Sequence, residues 1–285
     1  MVSLPFKQNE NIKGNDRWLF GMIFGILAFW LFAQTTLNIA PIMQKDLDIQ
    51  THIMNIAVSV TALFSGIFIV IIGNLSDRWG RVKTIRIGFI LSIIGSLLVG
   101  FSPSGFLAEF TLLLGRILQG LSGAFIMPAS LALVKAYWEG AARQRAISLW
   151  SMGSWGGSGF AALFGGLMVA SIGWRWIFII AAFVSVLGMW MIRDTPESKA
   201  FTISEYKSDR FGIITFMIMM VGLQIVATQG GNFGWTSFLT LSILAVSVLA
   251  AIVFIRSGLR NSNSFVDFKL FKNITYSGAH FLIFY

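Results

Sequence analysis

Residues 73–83 read Gly73-Asn74-Leu75-Ser76-Asp77-Arg78-Trp79-Gly80-Arg81-Val82-Lys83, a short charged stretch set between two long apolar runs. Gly73 and Gly80 permit backbone angles and close approaches that a Cβ would block. Asp77, followed by Arg78 and Arg81, can pair with either or with neighbouring helix ends. A connection that only carried positive charge would need Arg and Lys but not this spacing of Gly and Asp. The stretch therefore reads as a tight, charge-paired turn joining two helices at a membrane edge.

The flanking runs identify the solvent. Of 285 residues, 56% are hydrophobic and only 12% charged, against roughly 25% charged in soluble domains. A mean hydropathy of +0.77 leaves too few polar groups to cover a globule in water. Disorder requires the opposite composition. With no Cys there is no disulfide framework, thiolate metal site or Cys nucleophile. The two His, His52 and His280, are too far apart in sequence to read as a metal cluster. Gly157-Ser158-Gly159-Phe160-Ala161-Ala162 imitates a dinucleotide fingerprint, but it lies inside an apolar run with no strand before it. No acid pair or triad spacing appears. The expectation is an all-α integral membrane protein that is not an enzyme and needs no metal or cofactor.

A helix crosses the hydrocarbon core with about 20 apolar residues. Eight spans are expected, near Trp18–Ala40, Ile53–Gly73, Ile85–Phe101, Phe106–Ala129, Ile147–Ala170, Trp174–Ile192, Phe211–Gln229 and Trp235–Ile255. Their length and lack of period-2 alternation argue for helices over barrel strands. Of the 21 Lys and Arg, 18 fall in the N-terminal tail and the even-numbered connections; Lys45 and Arg175 fall on the other side, and Arg116 lies within a span. Basic loops stay inside, so the expected N-terminus is cytoplasmic. The basic character reports topology and contact with anionic lipid rather than nucleic acid, because it is dispersed among short loops. Trp18, Trp138, Trp174, Trp176, Trp190 and Trp235 stand at span ends, where indole rings prefer the headgroup level.

The expected organisation is a tail (1–17), a six-helix bundle (18–192), a cytoplasmic linker of mixed charge (193–210), two additional helices (211–255), and a cytoplasmic loop leading into a ninth helix (256–285). The hydrophobic run from Tyr276 stops at Tyr285, too short to span. It is read as the truncated start of that helix, with a C-terminal bundle missing from the chain.

Two further constellations lie within the spans. In Leu112-Leu113-Leu114-Gly115-Arg116-Ile117-Leu118-Gln119-Gly120 an Arg sits at membrane depth. Such a charge costs roughly 2.5–3.5 kcal/mol on insertion scales and is expected to face a cavity or a partner. In span five Gly153, Gly157, Ala161 and Gly165 recur every four residues, leaving one helix face nearly bare for another backbone. With one bundle only, that face is expected to lie open to lipid or to another copy of the chain. The spans contain one acidic residue, Glu109, read as a solvated helix end in preference to the alternative, a proton carrier.

The stretch from Gly73 to Lys83 resembles the loop signature of the major facilitator superfamily, with Gly73, Leu75, Asp77, Arg78, Gly80 and Arg81 in place. The pattern around Arg116, Gln119 and Gly120 is similar to that superfamily's fourth-helix motif. Gly157, Ala161, Ala162, Gly165 and Gly166 align with its antiporter motif, except that Ala-Ala replaces the central Gly-Pro, which removes the expected kink. Trp174-Arg175-Trp176-Ile177-Phe178, the two extra spans, and Phe265–Lys272 resemble the fourteen-helix drug:proton antiporters. So does Gln34-Thr35-Thr36-Leu37-Asn38-Ile39-Ala40-Pro41, in which Gln34 replaces an acidic residue.

The resemblance implies a multi-pass protein of the cell membrane that exports lipophilic or cationic, quinolone-type drugs against protons by alternating access. It implies a gating role for Gly73, Asp77, Arg78, Gly80 and Arg81, and a charge-relay role for Asp77. Transport or proton coupling is implied for Arg116, Gln119, Gln34 and Asn38, and helix packing for Gly153, Gly157, Ala161, Gly165 and Gly166. Gln34 leaves the proton carrier open, since an amide does not titrate. A non-transporting fragment and a same-fold transporter of another solute stay open as alternatives.

Overall fold

The computed structural model describes residues 13–199 and 209–260. The chain falls into two compact units that divide between Thr202 and Ile203. The first contains α1 (Asp16–Leu47), α2 (Thr51–Trp79), α3 (Arg81–Gly100), α4 (Phe106–Tyr137), α5 (Gly140–Ser151), a π-helical turn (Met152–Gly156), α6 (Gly157–Ser171) and α7 (Arg175–Met191). The second contains α8 (Arg210–Phe233) and α9 (Phe238–Arg260). Among the described residues there is no strand. Each expected span coincides with a helix and matches it to within three residues at one end at least, with differences of up to eight residues at the other; α5, the π turn and α6 together make the fifth. Long helices follow from apolar runs whose backbone groups have no water to bond with and must bond within the segment.

Several helices run well past the apolar stretch at the basic end, and one consequence corrects the expected loop. The segment Gly73–Lys83 is helical except at one residue. Gly73, Asp77 and Arg78 belong to the last turns of α2, and Arg81 already opens α3. Gly80 alone breaks the helix, at φ +116°, a backbone conformation open to Gly and strained for a side chain.

Packing in the first unit is close because small residues stand at the crossings. A Cβ on Gly120 of α4 would lie 2.5 Å from the Thr61 carbonyl oxygen of α2. Gly95 of α3 and Gly115 of α4 meet in the same way, a Cβ on either lying under 3.0 Å from the other's carbonyl oxygen. In lipid no hydrophobic force drives helices together, so such dispersion contacts carry much of the association. Two apolar clusters fill the interior. One gathers Leu19, Met22, Ile85, Phe89 and Trp138 with their neighbours, and the other gathers Phe32, Met43, Met54, Leu112, Trp174 and Phe178.

Those clusters qualify a second expectation. Trp138 and Trp174 stand at helix ends, as expected, but are covered by protein rather than exposed at the surface. Trp138 covers Gly14, and the Trp174 indole Nε1 donates to Asp46 Oδ2 at 3.2 Å. Trp176, Trp190 and Trp235 remain exposed.

The small-residue face of the fifth span is not open either. Gly153, Gly157, Ala161 and Gly165 are all buried, and α1 covers them through Ile23, Leu27, Trp30 and Thr35. Thr35 Oγ1 donates to the Ala161 carbonyl at 3.1 Å across the same contact. Gly166 stands apart on the opposite face, where an added Cβ meets nothing within 4 Å. The expected regularity of this helix also fails: the Ala-Ala pair is helical, but the π turn interrupts the ladder a few residues before it.

Gly120→Ala is expected to destabilise the bundle by roughly 1–3 kcal/mol through overpacking. Gly166→Ala should be neutral or stabilising by up to about 1 kcal/mol, since Ala favours the helix. Thermal unfolding of the purified chain in detergent reads the difference, and equal midpoints would refute the close α2–α4 crossing.

Candidate functional site

Arg116 lies nearly three turns into α4 and is 1% exposed. Its Nε donates to the Ala57 carbonyl of α2 at 3.0 Å, and its Nη1 to the Phe32 carbonyl of α1 at 3.0 Å and to Gln119 Oε1 at 2.9 Å. Gln119 passes the connection on, its Nε2 donating to Ser96 Oγ of α3 at 3.2 Å. Thr61 Oγ1, one turn beyond Ala57 on α2, donates back to the Arg116 carbonyl at 3.0 Å. One side chain thus ties α4 directly to α1 and α2 and, through an amide, to α3. Among the described residues no carboxylate lies within ion-pair distance of the guanidinium. Its positive charge is met by carbonyl dipoles, in the fixed fork geometry that Arg offers and Lys does not.

The second constellation sits at the basic end. Arg81 Nη2 and Nε contact Asp77 Oδ1 at 2.7 and 2.8 Å, one helical turn apart across the Gly80 break. The Arg81 side chain is only 8% exposed, so this pair is less screened than a surface pair. Glu197, beyond α7, supplies what the α3 N-terminus lacks. Its Oε1 accepts from the Val82 N–H at 2.9 Å and its Oε2 from the Lys83 N–H at 3.0 Å. A carboxylate on the first free amides of a helix satisfies orphan donors and complements the helix dipole. The backbone joins in, with Arg81 N–H donating to the Ser198 carbonyl at 3.0 Å, and Tyr137 Oη donating to the Pro196 carbonyl at 2.8 Å. A Cβ on Gly80 would lie 2.5 Å from the Glu197 carboxyl carbon, so Gly80 is required both by its φ and by this cap.

The structure brings Arg116 and Gln119 together, as it does Asp77, Gly80 and Arg81. It does not join Gln34 or Asn38 to them. Both lie on α1, Gln34 half-buried and Asn38 exposed, and neither side chain makes a hydrogen bond among the described residues. At the opposite end of the unit Arg175 pairs with Asp46 and donates through Nη2 to the Ser102 carbonyl at 3.3 Å, fastening α7 to α1 and to the α3–α4 connection. Sequence reasoning missed Glu197, Ser96 and Thr61. Glu197 is one charge in a segment of both signs, and Ser or Thr on an apolar helix has many possible partners.

These features define a polytopic helical membrane protein whose first four helices are locked together at membrane depth and braced at both ends. The chain belongs to the Major Facilitator Superfamily, whose family model matches residues 19–265. It is 45% identical over 270 residues to the quinolone resistance protein NorB of Staphylococcus aureus strains MRSA252 and Newman, covering 95% of this chain and 58% of each relative. The chain therefore spans less than two thirds of the length of these relatives. The fold is similar to that of a peptide transporter POT solved with sulfate, with a TM-score of 0.61 at 18% identity, covering 91% of this chain and 55% of that one. A bacterial homologue of the human lysosomal transporter Spinster, inward-facing and unoccupied, gives 0.54 at 18% identity over 86% of this chain and 61% of that one.

Two substitutions separate a clamp from a mere charge. Arg116→Lys keeps the buried charge but loses the fork, whereas Arg116→Gln removes the charge as well. The expected order of thermal stability is Arg, then Gln, then Lys, because a buried cation short of partners costs more than a neutral amide. Lys as stable as Arg would refute the clamp. Glu197→Ala is expected to cost about 1–2 kcal/mol as a lost cap and to speed hydrogen exchange at Val82 and Lys83, with Glu197→Gln intermediate.

Proposed function

We propose that this chain supplies the first bundle of a proton-driven exporter of lipophilic or cationic drugs, quinolones among them, set in the cell membrane with its N-terminus in the cytoplasm. The observation that carries the reading is the 45% identity to quinolone resistance proteins along 95% of the chain. The family's alternating-access scheme moves two bundles about a central site near the midplane. In that scheme residues 18–192 form one moving body, 193–210 the linker, 211–255 two added helices and 256–285 the approach to a second bundle. The Arg116 network suits α1 to α4 to move as one piece. The Asp77–Gly80–Arg81 turn, braced by Glu197, is the cytoplasmic gate element, and Arg78 belongs to it.

The proton carrier is placed outside the first bundle. Gln34 does not titrate, Arg116 is held by carbonyls, and among the described span residues the one carboxylate is Glu109, in the first turn of α4. Drug would enter between the bundles past Gln34 and Asn38, whose side chains are free to bond. The driving force is the proton gradient, including about 2.3 kcal/mol per charge per 100 mV.

Export is the test. Efflux-deficient cells making an exporter that joins this chain to a second bundle should expel a fluorescent quinolone or cationic dye and lose that ability when the proton gradient is collapsed. Full export after collapse would overturn proton coupling, and none at all with the protein present in the membrane would overturn drug export. For orientation, Lys199→Cys is a unique thiol in a Cys-free chain. It should resist an impermeant maleimide in intact cells and react in lysed ones, and labelling in intact cells would reverse the topology.

A further inference from the structure

In the second unit α8 and α9 are antiparallel, so the start of α8 lies beside the end of α9. Between them is an open groove of about 490 Å³ lined by Phe211, Val253, Arg256, Ser257 and Arg260. On α9 the four lining residues recur at helical spacings of three and four, which places them along one stripe. The stripe runs from apolar to cationic, Val253 inward and Arg260 in the last turn.

The two arginines differ from most at the basic end of the first unit. There Arg17, Arg81, Arg145 and Arg193 each pair with a carboxylate, and Arg86 and Arg143 each donate to a backbone carbonyl. Arg256 and Arg260 are exposed, stand one turn apart and make no ion pair or hydrogen bond among the described residues. Like charges at that spacing repel along a helix. The nearby Asp209 caps α8, its Oδ1 accepting from the Gly212 N–H at 2.9 Å.

We infer that this groove is a binding site for one anionic phospholipid. Its phosphate sits between Arg256 and Arg260, Ser257 donates its hydroxyl, and the upper acyl carbons lie against Phe211 and Val253. A basic notch beside apolar side chains at the end of membrane-spanning helices matches such a molecule in both charge and depth. The site needs only that α8 and α9 cross the membrane, and so stands apart from drug export.

The test uses the whole chain, delipidated in neutral detergent and titrated with phosphatidylglycerol or phosphatidylcholine, with bound lipid counted by native mass spectrometry. Phosphatidylglycerol should be retained preferentially, and the double variant Arg256→Gln, Arg260→Gln should weaken it about 30-fold. Lys83→Gln with Lys135→Gln, an exposed basic pair elsewhere, should leave that affinity unchanged. Equal loss in the two double variants would mean only diffuse charge attraction and would overturn the site. So would equal retention of phosphatidylcholine, or displacement of the lipid by inorganic phosphate at comparable concentration. Size-exclusion profiles identical to wild type show that the exposed substitutions leave the chain folded.

Discussion

A guanidinium buried without a counter-charge is the constraint on which the first unit is built. Taking such a charge out of water is costly, and the usual remedy is a carboxylate or a path to the surface. Arg116 has neither among the described residues and relies on carbonyl dipoles from two other helices. Those carbonyls can serve only if the helices come close enough for the fork to reach both. Gly120 of α4, set against the Thr61 carbonyl, makes that approach possible for α2, and Gly115 of α4 with Gly95 of α3 brings the helix that carries Ser96 equally close. Polar satisfaction and tight packing are thus one requirement: loosening the helices would strand the charge, and removing the fork would leave a void at the crossing.

The ends of the unit obey a different logic, because water is available there and charges pair conventionally. At the basic end the Asp77–Arg81 pair and the Glu197 cap close the one-residue break between α2 and α3. At the other end Asp46, Trp174 and Arg175 fasten α7 to α1. Individually such contacts are worth little on a surface. Here they hold helix ends whose middles are already fixed, so they define the angle at which each helix leaves the membrane rather than whether it forms.

Hydropathy made the helices legible, since a run of apolar residues in lipid has few other options. Arg116 was legible as an anomaly, because its cost demands an explanation. Its acceptors were not, since backbone carbonyls leave no mark in a sequence. The turn at Gly80 was visible as a turn but not as a single residue, because the immediate restart of a helix at Arg81 depends on a cap supplied by Glu197 more than a hundred positions away. Trp138 and Trp174 were legible as residues at span ends, but composition cannot separate a ring that faces outward from one covered by neighbouring protein. The interval of four in the fifth span revealed a face but not the helix that covers it.

That interval has a geometric problem which the π turn addresses. In an unbroken α-helix each residue advances about 100°, so positions four apart fall about 40° out of line. Over the three steps from Gly153 to Gly165 the stripe would wind about 120° around the helix, and its far end would turn away from α1. The π turn at Met152–Gly156 winds with more residues per revolution and takes up part of this drift. It acts as a phase correction, keeping Gly153, Gly157, Ala161 and Gly165 in step along α1. An irregularity in the hydrogen-bond ladder is thereby what makes the helix–helix seam regular.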